Sequence, residues 1–292
     1  MQIPEYENYH ETKSHSTPDF PYNAYICSIP LDFEKVPLHW HDEVEIIYIK
    51  KGRGRVTLDF TSLYVEAGDI IIVSPGQLHA IGPAEYSMEY ENIIFSLDLL
   101  CTGSMDALSS EFFEPFLAGT IGFEHLVCCD DEHYPALSSC LNHIDSISSS
   151  FPKGYRLAIK GALFTFFYTI FTNSTDIPAP KNDPHIERLK SVLKYIETHY
   201  MSSISIDEIS AVSGFSASHF MRFFKSAIGT SFTSYLSSYR LSMAARLLLL
   251  TNNSILDIAL SCGYENLSYF NRSFKKRYKK TPSEYRRGSD ET

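Results

Sequence analysis

The sequence predicts two domains: a β-rich N-terminal domain with appended helices, then an all-α domain holding two helix-turn-helix units. Three observations carry that expectation. Residue texture changes from β-branched and aromatic alternation to helical periodicity along the 292-residue chain. Charge splits: residues 1–180 carry 9 Lys and Arg against 25 Asp and Glu, whereas residues 181–292 carry 16 against 10. A helical pattern in the basic half also recurs at an offset of 49 to 50 residues.

Taken in order, the chain opens on polar residues (Glu5, Glu7, Glu11, Lys13), unlike an export signal. Residues 22–98 alternate, as in Glu43–Ile49 and Arg55–Phe60, with glycines at 52, 54, 68, 76 and 82. Short strands at that spacing predict a sandwich or a small barrel. Residues 134–172 read as two helices. The first is marked by Leu137, Leu141, Ile144 and Ile147, and the second is apolar nearly all round from Leu157 to Phe171. Such a helix must be buried, either against a second copy of the chain or under the β-domain. The longest uncharged apolar run, Gly161–Phe171, is too short to span a bilayer, so no membrane role is expected.

Prolines and few apolar residues mark a linker at 173–184. The expected organisation is a β-domain at 1–132, a helical pair forming a dimer interface at 133–172, the linker, and a DNA-binding domain at 185–288. Six cysteines without metal-ligand rhythm fit a cytoplasmic protein with neither disulfide nor structural zinc.

The repeat is the most specific signal. ISAVSGF at 209–215 matches IALSCGY at 258–264: a short helix ends at a glycine followed by an aromatic. SHFMRFFK at 218–225 then matches SYFNRSFK at 268–275, and SFTSY at 231–235 matches TPSEY at 281–285. Two short helices joined by a glycine turn make a helix-turn-helix, whose second helix enters the DNA major groove.

With LSMAARLL at 241–248, ILDIALSCGY at 255–264 and TPSEYR at 281–286, residues 185–288 resemble the DNA-binding domain of AraC-family regulators. The resemblance implies recognition helices in adjacent major-groove segments, spaced by a long helix near 231–250. It also implies groove-facing roles for Ser218, Met221 and Arg222. Ser216 is expected to cap the first recognition helix beside a phosphate, with Lys225 further along it. On the second, Asn266, Leu267, Ser268, Asn271 and Arg272 are the expected readers, and Lys275 and Lys276 attract phosphate.

In the N-terminal half, HWHDEVE at 39–45, Gly52, Gly68-Asp69 and PGQLH at 75–79 resemble the two motifs of cupin barrels. His39, His41, Glu45 and His79 would form a metal ligand set there. The asparagine usual after the second motif is missing. AraC-type sensors keep similar histidines around a small effector, often a sugar. These residues and Trp40 are therefore expected to contact an effector, with no metal or other cofactor. The expected protein is no enzyme but a homodimeric, effector-responsive regulator of double-stranded DNA, engaging RNA polymerase if it activates. The alternative is a metal-dependent cupin enzyme with an accessory helical domain.

Overall fold

The computed structural model describes residues 19–32, 35–82, 87–101, 107–173 and 183–287. The linker expected at 173–184 falls outside them except at its ends. The described residues form two compact units, one ending at 173 and one beginning at Asp183.

The first unit is built from β1 (Tyr22–Ile29), β2 (Val36–His39), β3 (Val44–Leu58), β4 (Thr61–Glu66), β5 (Ile70–Val73), β6 (His79–Gly82), β7 (Met88–Phe95) and β8 (Leu126–Val127). Three helices accompany them: α1 (Glu114–Leu117), α2 (Tyr134–Ser148) and α3 (Tyr155–Thr172). All pairings are antiparallel. One sheet runs β1-β7-β3-β5-β8. Strand β3 belongs to two layers. Its first half lies between β7 and β5, and Arg53–Leu58 continue between β4 and β6, with β2 beyond β6. A register shift between Ile49 and Lys51 marks the change, as expected where a bulge bends a strand.

Val44 through Ile49 are all buried, although the residues alternate in kind. The sheet is covered on both faces. Val44, Ile46, Tyr48, Ile70, Ile72, Ile93 and Phe95 pack with Leu141 and Ile144 of α2 and Leu163, Phe166 and Phe167 of α3. Ile47, Ile49, Val56, Ile71, Val73, Ile81 and Tyr90 form a second core on the opposite face. Burying each such side chain contributes about 1.5–3 kcal/mol. Glu45 alternates in step with Ile47 and Ile49 and is carried to the same side. Lys50 bridges Glu91 of β7 at 3.0 Å and Asp145 of α2 at 2.7 Å, tying the helix layer to the sheet.

Helix α3 therefore covers its own sheet. Leu157, Phe164 and Tyr168 stay exposed along its outer side, so the helix is not buried all round.

The second unit contains α4 (Pro184–His199), α5 (Ile206–Ser213), α6 (Ala217–Ile228), α7 (Phe232–Leu250), α8 (Ile255–Ser261), α9 (Leu267–Tyr278) and α10 (Pro282–Arg287). Side chains begin these helices in a regular way. Ser205, Ser216, Ser231, Ser254 and Asn266 each accept a hydrogen bond from a backbone N–H in the first turn of α5 to α9. Such a cap is worth about 1 kcal/mol.

Candidate nucleic-acid interface and a buried histidine cluster

The repeat folds as two copies of one frame. In the first, α5 ends at Gly214 (φ 68°) and α6 follows. In the second, α8 is followed by Gly263 (φ 75°) and then α9. Phe220 and Phe224 on α6 have ring centroids 5.6 Å apart, as do Phe270 and Phe274 on α9. All four rings are fully buried. Tyr235 meets Phe224 at 5.3 Å, and Tyr285 meets Phe274 at 5.4 Å. These aromatics fix which side of each recognition helix faces inward.

The opposite side carries the expected readers. Ser216, Ser218, Met221, Arg222 and Lys225 are exposed along α6. Along α9, Leu267, Ser268, Arg272, Lys275 and Lys276 are exposed and Asn271 is half-buried. Two residues have local structural roles as well. Ser216 Oγ accepts from His219 N at 3.4 Å, and Asn266 Oδ1 accepts from Tyr269 N at 2.9 Å. One lone pair of the Asn266 oxygen is committed to the helix end, and its amide N–H groups stay open to a base edge. The sequence reading passed over His219 and Tyr269, which occupy matching positions and are both exposed. The repeat itself was the signal for them, since they lie 50 residues apart between a serine and a buried phenylalanine.

Helix α7 joins the two frames and is held at its middle and near its C-terminal end. Arg240 donates to Tyr200 O and Ser202 O, each at 2.7 Å. Arg286 of α10 reaches back to Leu248 O at 3.3 Å and Asn253 O at 2.7 Å. Helices held this way keep their exposed side chains in place before any partner binds.

In the first unit, His39, His41, Glu45 and His79 come together as the motif spacing implied. His39 and His79 are register partners on β2 and β6. Nε2 of His41 lies 2.9 Å from Glu45 Oε2, and Nε2 of His79 lies 2.7 Å from the same oxygen. The His79 contact is close but lacks hydrogen-bond geometry at Nε2. All four residues are buried, and Trp40 is buried beside them in sequence. Burial, reinforced by the neighbouring His79, holds His39 well below the usual imidazole range. For Glu45 burial pushes the other way, yet His79 and His41 keep its carboxyl well below the usual carboxylate range.

Comparison with known proteins agrees with both units. Residues 31–166 match an AraC-like ligand binding domain, and residues 209–288 match a helix-turn-helix domain. The chain is 22% identical over 284 residues to the HTH-type transcriptional regulator YdeC of Bacillus subtilis, covering 96% of this chain and 97% of that one. It is 38% identical over 103 residues to the Transposon Tn10 TetD protein of Escherichia coli, covering 35% of this chain and 75% of that protein. It is also 37% identical over 102 residues to the transcriptional regulator Rob of Salmonella typhimurium. There the chain spans 35% of the relative's own length. These matches exclude the cupin-enzyme alternative in favour of a regulator. The chain belongs to the AraC family, as a DNA-binding transcription regulator that joins a ligand-binding domain to a helix-turn-helix domain.

Proposed function

We propose that α6 and α9 enter successive major-groove segments of an operator, and that binding is sequence-specific. The observation carrying this reading is the duplicated aromatic frame, which leaves matching cations, Arg222 and Arg272, exposed on the outer faces of two capped helices. Arg222 is assigned a guanine edge, which a guanidinium grips with two parallel hydrogen bonds. Arg272 takes guanine or phosphate, and Asn271 takes adenine. Ser218 and Met221 line the groove beside Arg222, while Leu267 and Ser268 do so at the start of α9. Lys225, Lys275 and Lys276 contact phosphate, and the N–H groups behind Ser216 face another.

The 1–132 region is proposed to take up the effector and the 133–172 pair to bring two copies together. The exposed Leu157, Phe164 and Tyr168 stripe supports that pairing. The family resemblance supports a sugar as effector and activation through RNA polymerase, and the scattered cysteines support a cytoplasmic setting. Among the described residues no helix is long and apolar enough to cross a membrane.

The decisive experiment titrates operator and random duplex at one salt concentration. Arg222→Ala should weaken operator binding by about tenfold or more, the value of one bidentate base contact, while barely changing binding to random duplex. Equal losses on both would remove Arg222 from base reading.

A further inference from the structure

We propose that His39, His41, Glu45 and His79 hold one first-row divalent transition-metal ion, zinc being the best matched. The reason is an accounting of donors and acceptors. Each imidazole has its Nδ1 against a backbone carbonyl oxygen: His39 on Pro37 O at 2.9 Å, His41 on Glu43 O at 3.1 Å, and His79 on Gln77 O at 2.8 Å. A carbonyl oxygen only accepts, so Nδ1 carries the proton on all three rings. A ring whose proton sits on Nδ1 turns the lone pair of its Nε2 inward.

What they meet there is another acceptor. Nε2 of His41 and of His79 both face Glu45 Oε2, at 2.9 and 2.7 Å. One ligand atom from each of the four residues lies within 4.8 Å of the others. Acceptors converging in a buried site need a cation between them. One proton shared between His41 and Glu45 would make that contact a hydrogen bond, yet would leave His79 Nε2 acceptor against acceptor at 2.7 Å. One divalent ion satisfies all four groups at once. Tethering Nδ1 to a backbone carbonyl is also how proteins orient and enrich a histidine that ligates through Nε2.

The donor set selects the metal class. Three imidazoles and one carboxylate suit zinc and its neighbours, whereas calcium and magnesium take oxygen ligands. The four ligands are 6% exposed or less, so the site is closed and the ion's role is structural rather than catalytic. It ties β2 and β6 to β3, the strand shared by both layers. This assignment reverses the sequence expectation of a metal-free effector contact. That expectation rested on a missing asparagine and on the similar histidines of AraC-type sensors, and the three Nδ1 tethers become visible only when the chain is folded. It does not depend on the DNA-binding reading.

The test uses the full-length chain, stripped with chelator, desalted and titrated with Co2+ or Zn2+. Co2+ should bind at about one ion per chain with the visible ligand-field bands of a four-coordinate site, and Zn2+ should displace it and raise Tm. His79→Gln should lose the bands and bind zinc at least about tenfold more weakly. The absence of bands in the unsubstituted chain, with no retained metal and no change in Tm, would overturn the assignment even if the variant failed to fold. Unchanged bands and affinity in His79→Gln would overturn it equally.

Discussion

The first and second helix-turn-helix units share a frame and differ in what surrounds it. Both place an aromatic pair four residues apart, a third aromatic from the following helix, and a left-handed glycine in the turn. Their turns are nonetheless under different pressure. A side chain at Gly214 would meet nothing within 4 Å, so that position needs glycine for its φ alone. At Gly263 a Cβ would sit 2.7 Å from Tyr200 O and 3.0 Å from the Arg240 guanidinium, which is bonded to that same oxygen. The second turn is clamped between α4 and α7, and the first is open. Equivalent positions in a duplicated motif are thus not equally constrained, because the neighbours are not duplicated.

The sharpest way to break this comparison is a pair of substitutions. Gly214→Ala should lose about 1 kcal/mol of stability from backbone strain alone. Gly263→Ala should lose about 3 kcal/mol or more, since it adds a backbone clash and disturbs the Arg240 hydrogen bond. Equal losses in chemical denaturation would show that the Arg240 clamp contributes nothing.

A second difference is charge. The exposed cations of α6 are Arg222 and Lys225, whereas α9 adds Lys275 and Lys276 near its end beside Arg272. Replacing Lys275 and Lys276 together with alanine should weaken binding to all duplexes alike and lower the salt slope, log K against log salt, by about 2. An unchanged slope would move the electrostatic grip away from α9.

The smallest effect concerns the helix ends. Gly229 after α6 and Lys279 after α9 both adopt the left-handed cap, at φ 82° and 59°. Lys279→Gly should gain about 0.5–1 kcal/mol, net of the freer unfolded chain. No gain would mean that the Lys279 Nζ contact to Lys276 O, at 3.1 Å, offsets the strain.

Much of this was legible without coordinates. The helices of the second unit, the Ser216 cap and the buried aromatics at 220, 224, 270 and 274 follow from periodicity and capping chemistry, which act within a few residues. The strand-rich first unit was legible as a class. Its pairing was not, since nothing local says that β3 bends to serve two layers. The helix at 155–172 read as buried all round. It is amphipathic in place because Leu157, Phe164 and Tyr168 lie on the side away from the sheet. The cap that the Asn266 oxygen makes on α9 was not read from the sequence, which offered that residue only as a base contact.

The residue order alone was enough for the two-domain plan, the duplicated reader and the identity of the four residues in the buried cluster. Those features depend on spacing, and spacing is local. The long-range contacts settled the rest. They turned Glu45 inward, set three imidazoles with their Nδ1 atoms on backbone carbonyls, and pressed Tyr200 and Arg240 onto one glycine of a matched pair. Such constraints arise between residues distant in sequence, where no repeat or periodicity records them.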